Sequence, residues 1–244
     1  MKKRRRLGLA IGGFLGFGLV LVAVFFSEGI LRFHYPSRSR YPVRGVDVSA
    51  HQGEIDWSVL AGQDVQFAYI KATEGSSHVD VRFRENWNEV AKTSILASPY
   101  HFMSYDSGGI TQAENYITTV GKRSGMLPPA VDVEFYGSYY QTPMKPADAR
   151  EILRDLLDAL EEFYGVKPII YATRSAYTLY IEDHFEEYPF WIRNVYYPPL
   201  LDGIHDWTFW QYSDRGHLYG HEGTHIDLNA YRGTREELEA LMIK

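Results

Sequence analysis

The chain has 244 residues, 45% of them apolar and 23% charged, enough for one ordinary globular domain with sequence to spare. Its net charge is -6 despite a basic N-terminus, so the remainder is acidic and no nucleic-acid-binding surface is expected. The lack of cysteine excludes disulfides and thiolate chemistry.

Residues 1–6, MKKRRR, form a basic tail ahead of an uncharged run from Leu7 to Phe26. That run has about the 20 residues a helix needs to cross a bilayer. Five consecutive basic residues before it put the N-terminus in the cytoplasm and the rest of the chain on the extracytoplasmic side of the cytoplasmic membrane. A cleaved signal peptide is the competing reading, but SEGILRFHYP offers no small-residue cleavage site, which favours an uncleaved anchor. Gly8, Gly12 and Gly16 have the spacing that packs two membrane helices together, though a single span tolerates glycine as well. Residues 27–42 mix Pro, Ser and Arg without a period and read as a juxtamembrane linker.

The domain proper spans 43–244. Short apolar runs alternate there with helical patterns: VRGVDVS, QFAYIKAT, ILASPYHF, PAVDVEF, KPIIYAT, PFWIRNV, WTFWQYS and HIDLNAY are the strand candidates. The clearest helix is PADAREILRDLLDALEEFYG, whose apolar stripe is Ile152, Leu153, Leu156, Leu157, Leu160 and Phe163. Pro146 opens it and Gly165 follows its end, as helix termini prefer. Thr111 with Glu114, and Thr234 with Glu237, have capping-box spacing and predict the starts of shorter helices. Eight strands with interposed helices predict an α/β fold, a TIM-like β/α barrel with some helices short or missing.

HEGTH, His221 to His225, matches the zincin pattern, in which two imidazoles one helical turn apart hold zinc. Only a helix gives residues four apart a common face. Gly216, Gly220 and Gly223 each cost a helix about 1 kcal/mol, and an alternating strand pattern follows at once. A loop is therefore predicted. A zinc hydrolase built on His221 and His225, with Glu236 or Glu237 as third ligand, is the least favoured reading.

PAVDVEF is more informative. Asp132 and Glu134 alternate with Val131, Val133 and Phe135, so the two acids share one strand face about 6.6 Å apart. At the C-terminal mouth of a barrel they could act as a proton donor beside an anion, because crowding two carboxylates raises one pKa. Alternatively the apolar residues face the core and both acids face solvent; spacing alone leaves the two readings open. Asp47 in GVDVS and Asp227 in HIDLN put two more acids near strand ends, where a lone Asp is commonly a turn residue.

GVDVSAHQGEIDW, followed in order by FAYIKATEG, PYHF, VDVE, IIYAT, PFWI, WTFWQY and IDLNAY, resembles the family 25 glycoside hydrolases, the muramidase-type lysozymes. The resemblance runs from Gly45 to Tyr231. It implies a flattened β/α barrel that cuts the β-1,4 bond between N-acetylmuramic acid and N-acetylglucosamine in peptidoglycan, with no cofactor or metal. Glu134 matches the family's proton donor, Asp132 the partner acid, and Asp47 and Asp227 the acids of the first and last strands. Attack by the substrate's own N-acetyl oxygen, oriented by Asp132, and an inverting route through a water both remain open.

Tyr69, Tyr100, His101, Tyr171, Trp191, Trp210, Gln211 and Tyr212 lie near strand ends and are the candidate sugar-binding residues, about half of which are expected to line the cleft. Lys71 and Glu74 match a family strand end as supports. Two departures stand out: Arg193, where the family more often has a small residue, and Ser98–Pro99, where a glycine-containing turn is common. A catalytically silent peptidoglycan-binding module is the alternative from another functional class.

Overall fold

The computed structural model describes residues 35–244 except 205, together with Gly18, Val20, Leu21, Val22, Val24 and Phe25, which are helical. The rest of the expected span Leu7–Phe26, including Gly8, Gly12 and Gly16, lies outside the described residues, as do the tail 1–6 and linker residues 27–34. Among the described residues no helix is long and apolar enough to cross a membrane.

Among the described residues nine strands run in chain order: β1 Arg44–Val48, β2 Phe67–Glu74, β3 His78–Val79, β4 Leu96–Phe102, β5 Ala130–Val133, β6 Ile169–Thr173, β7 Phe190–Arg193, β8 Phe209–Gly216 and β9 Ile226–Tyr231. All eight predicted strands are present, and β3 is a two-residue addition on the end of β2. The sheet closes into a barrel because β1 pairs with β2 on one side and β9 on the other. Its strands are parallel except β9, which runs antiparallel to both neighbours, and the two-residue β3, antiparallel to β2. The short 217–225 loop returns the chain directly as a hairpin, and a hairpin reverses direction where a crossover helix would preserve it.

Apart from β3, which is exposed, the strands are largely buried on both faces. Phe67, Tyr69, Ala130, Ile169, Trp191, Phe209 and Tyr231 fill the barrel interior. Their neighbours Ala68, Ile70, Val131, Val133, Ile170, Ile192 and Trp210 point outward into a second apolar layer beneath the helices. Those helices are α1 Trp57–Ala61, α2 Phe83–Val90, α3 Gly109–Val120, α4 Pro146–Tyr164 and α5 Arg235–Ala240. A short helical turn at Arg174–Ala176, continuing as a π-helix over Tyr177–Ile181, follows β6.

α4 has Pro146 in its first turn and ends at Gly165, whose left-handed backbone, φ 74°, places its N–H on Glu161 O. The helix buries Ala149, Leu153, Leu156, Leu157, Leu160 and Tyr164. Phe163, predicted in the stripe, is 39% exposed. The buried arc is turned slightly, and Tyr164, donating to Gly121 O at 2.9 Å, takes that place. α3 crosses α4 closely at Gly109, where a Cβ would come within 2.2 Å of Ile152 O. α3 begins earlier than the Thr111–Glu114 pair predicts: Gly108 caps it without a side chain, and Thr111 lies inside, donating to Gly108 O at 2.9 Å. The Thr234–Glu237 capping box forms as predicted and starts α5.

α5 closes the bottom of the barrel. Leu238 is buried with the interior cluster, and Arg235 donates to Gln66 O and Ser94 O at the feet of β2 and β4. Residues 36–42, read in the sequence as linker, pack on the barrel wall, with Tyr41 against Trp207 and Trp210 at centroid distances of 5.3 and 6.2 Å.

Candidate active site

Alternation along β5 decides where its acids go. Val131 and Val133 point into the outer apolar layer, so Asp132, and Glu134 just past the strand end, share the inward face of Ala130 and stand at the barrel mouth. The strand thus has no solvent face, and its acids open only upward.

Asp47 and Asp227 come to the same mouth from β1 and β9, where they are direct register partners. Asp47 Oδ1 accepts from Asn229 Nδ2 at 2.6 Å and Gln211 Nε2 at 2.9 Å. Trp191 Nε1 donates to Asn229 Oδ1 at 2.9 Å and so fixes the orientation of that amide. Tyr171 Oη lies 3.0 Å from Gln211 Oε1 and 3.2 Å from Glu134 Oε1. One network therefore runs from Trp191 through Asn229, Asp47, Gln211 and Tyr171 to Glu134. Asp132 Oδ1 is buried with no hydrogen-bond partner in the structure, beside a tight pocket lined by Asp47, Tyr100, Asp132, Tyr171 and Trp191.

Burial disfavours charge on all four acids. It raises Glu134, against the nearby Arg193 cation and the Tyr171 hydrogen bond. Burial, with the charges of Glu134 and Asp47, holds Asp132 well above the usual carboxylate range; Lys71 opposes this. Asp47 is raised by burial but relieved by its amide donors, and Asp227 is pushed well up by burial and by Asp47. The two amide donors on Asp47 and the charges facing Asp227 together favour a proton on Asp227 and the anion on Asp47. The mouth is thus a cluster of acids that hold their protons more tightly than ordinary carboxyls, beside polar partners that can receive them.

The eight candidate sugar contacts divide by strand face. Tyr100, Tyr171, Trp191 and Gln211 point inward at or just below the acids. Tyr69 also points inward but lies deep in the interior cluster, its hydroxyl donating to Pro128 O. His101, Trp210 and Tyr212 point outward, because their neighbours Tyr100 and Gln211 point in. His101 bonds Thr73 Oγ1 at 2.7 Å and Gln112 Oε1 at 3.0 Å, and burial lowers its pKa to about 4. Trp210 donates to Asn194 O at 2.8 Å. The Arg44 guanidinium lies over the Tyr212 ring at 5.3 Å.

Lys71 pairs with Glu74 at 2.7 Å. Arg193 ends β7 and donates to Asp214 Oδ2 at 2.7 Å. Ser98 and Pro99 lie within β4 opposite Tyr69 and Ile70, well below the mouth, so they form no turn there. Asn229, Asp214 and Arg174 belong to the site region but were not singled out in the sequence. Asn229 could have been, since it lies two residues beyond Asp227 on one strand face.

His221 and His225 lie in the 217–225 loop, with His221 bridged to Ile55, so they share no helix face. Glu236 and Glu237 start α5 at the other end of the barrel. Among the described residues no group of three His, Asp or Glu is placed to hold a metal ion.

Comparison with known proteins agrees with this geometry. Residues 46–221 match the model of the glycosyl hydrolases family 25. A family 25 glycosyl hydrolase structure from Bacillus anthracis superposes with a TM-score of 0.81 at 45% identity, covering 86% of this chain and 97% of that one. A bacterial lysozyme structure from Streptomyces coelicolor gives a TM-score of 0.73 at 31% identity, covering 82% and 96%. Lysozyme M1 of Streptomyces globisporus is 32% identical over 209 residues, 82% of this chain and 71% of that protein.

Proposed function

This chain belongs to the family 25 glycosyl hydrolases, and on that premise we propose that it cuts the β-1,4 bond between N-acetylmuramic acid and N-acetylglucosamine in peptidoglycan. The observation that carries this reading is the pair Asp132 and Glu134 on one inward face at the mouth, with Glu134 linked to Asp47 through Tyr171 and Gln211.

Glu134 is the proton donor. Burial keeps it protonated to higher pH than an ordinary glutamic acid, so it can protonate the leaving sugar oxygen and then, as the anion, take a proton from water. Asp132 Oδ1 accepts the N–H of the N-acetyl group. That hydrogen bond favours the ionised form of Asp132, leaves the proton to Glu134, and turns the acetyl oxygen toward the anomeric carbon. Asp47, held as the anion by two amide donors, and protonated Asp227 fix the floor and bond sugar hydroxyls. Tyr100, Tyr171, Trp191 and Gln211 are the sugar contacts that the inward face favours. The hydrophobic run Leu7–Phe26 supports a single-pass anchor that holds the domain outside the cytoplasmic membrane.

The test is to incubate residues 36–244 with purified peptidoglycan, with and without a chelator, and to identify the reducing ends by mass spectrometry. Reducing N-acetylmuramic acid, unaffected by chelation and lost in Glu134→Gln while sugar binding persists, is expected. Binding without turnover in the unaltered protein would instead identify a glycan-binding module. For the anchor, the full chain should sediment with membranes and a chain lacking residues 1–34 should not.

A further inference from the structure

A cleft of about 520 Å³ opens beside Glu134, away from the tight pocket at Asp132. Its walls carry two guanidinium groups, Arg193 at the end of β7 and Arg174 just past the end of β6. β6 and β7 are adjacent and parallel, with Thr173 opposite Arg193, so the two cations rise from one wall. Tyr140 and Tyr196, 71% and 75% exposed, stand on the same rim. The backbone N–H groups of Tyr196 and Tyr197 donate to Asn194 Oδ1, which fixes the rim loop.

Two cations on one wall of an acidic protein call for an anionic guest. Arg193 gives Nη2 to Asp214, but a guanidinium carries five N–H donors, and this one is about a third exposed toward the cleft. Its planar fork matches a carboxylate, which it can hold through two parallel hydrogen bonds. Sugar hydroxyls need no such group; aromatic faces and amides suffice for them. The anionic groups of a peptidoglycan strand are carboxylates, on the lactyl ether of the muramoyl residue and on its peptide stem.

We propose that the cleft beside Glu134 is a carboxylate-binding subsite in which Arg193, supported by Arg174, holds an acid group carried by the muramoyl residue. This rests on the peptidoglycan-hydrolase reading and deepens it: the enzyme discriminates among strands by the state of their acid groups. Asp214 holds one nitrogen of the Arg193 guanidinium and so orients the group at the cleft wall.

The test uses two glycan preparations, one with intact peptide stems and one stripped of them to free the lactyl carboxylate. Each is assayed with its carboxylates native and after conversion to neutral methylamides. The readout is the ratio of kcat/KM on the native form to that on the amide form. Because both values come from one protein sample, misfolding and any shift of the catalytic acids cancel. The unaltered enzyme should prefer the native form by about tenfold, as a charge-assisted hydrogen bond implies. Arg193→Gln should bring the ratio close to one, mainly through KM, with Arg193→Lys recovering part of it and Arg174→Gln lowering it less. Preference in the stripped preparation identifies the lactyl group as the source; preference confined to the intact one identifies the stem. Equal cleavage of native and amide forms by the unaltered enzyme, or an unchanged ratio in Arg193→Gln, overturns the subsite and leaves the hydrolase reading standing. No reducing ends from any preparation overturns both.

Discussion

Asp47 and Asp227 stand directly opposite each other on β1 and β9, and their surroundings favour the anion on Asp47 and the proton on Asp227. The asymmetry comes from their neighbours: two amide donors face Asp47, whereas Asp227 faces the charges of Asp47 and Asp214. Replacing Asp47 with Ala strands the Gln211 and Asn229 amides and should cost about 1–3 kcal/mol for each buried donor left unsatisfied. Asp227→Asn keeps a donor toward Asp47 and should cost less. Urea denaturation compares the two, and a larger loss in Asp227→Asn would place the proton on the other acid.

Glu134→Gln retains size and hydrogen bonding but has no proton to give. Its kcat on peptidoglycan should fall by about 10²–10⁴-fold, with glycan affinity close to that of the parent. Because burial raises Glu134, the alkaline limb of the parent's kcat/KM profile should lie above the ordinary glutamic acid value. Removing the Arg193 cation, which lowers Glu134, should move that limb higher still. A limb that moves down in Arg193→Gln would contradict the assignment.

The buried acids make stability fall as pH rises. A carboxyl whose folded pKa is raised binds its proton more tightly in the folded state. Its contribution is fully present below the unfolded value, near 3.8 for Asp, and is lost as pH climbs toward the raised folded value. Asp132→Asn removes this penalty. It should therefore melt above the parent at pH 7, by about 2–4 °C for each kcal/mol relieved, with the difference closing near pH 4. Calorimetry at both pH values checks it; an advantage that grows toward acid would reverse the sign.

The phase of α4 is testable with two truncations. Leu157 is fully buried, so Leu157→Ala should cost about 2–5 kcal/mol. Phe163 is 39% exposed, and Phe163→Ala should cost far less, about 1 kcal/mol. Similar losses in denaturant titrations would mean that the helix is turned the other way.

Much of the barrel is legible in the sequence because each strand is a short apolar run between polar helices and turns, and α4 carries its own start and stop residues. Strand direction is not. Nothing in HIDLNAY says that β9 runs backward; the absence of a helix between WTFWQYS and HIDLNAY is the one hint. Facing is legible only where one side of a strand is polar. Asp132 and Glu134 alternate with valine, so their shared face follows, though its destination does not. In PYHF and WQY a polar residue is buried on one face and aromatics lie on the other, so polarity does not mark the inward side, and the choice among Tyr100, His101, Trp210 and Tyr212 depends on which register the barrel closes in. Arg174 and Asp214 acquire meaning only through neighbours distant in sequence, Thr173 beside Arg193 and β7 beside β8.

Because α5 stoppers the barrel foot and the β1 entry and β9 exit lie at that same end, neither chain connection of the described barrel unit crosses the rim. A wall polymer is a long thread, not a small molecule that can diffuse into a recess. If the guest is a peptidoglycan strand, neither chain connection of the folded unit stands in its way at the mouth, and a tag fused at Lys244 should leave turnover unchanged.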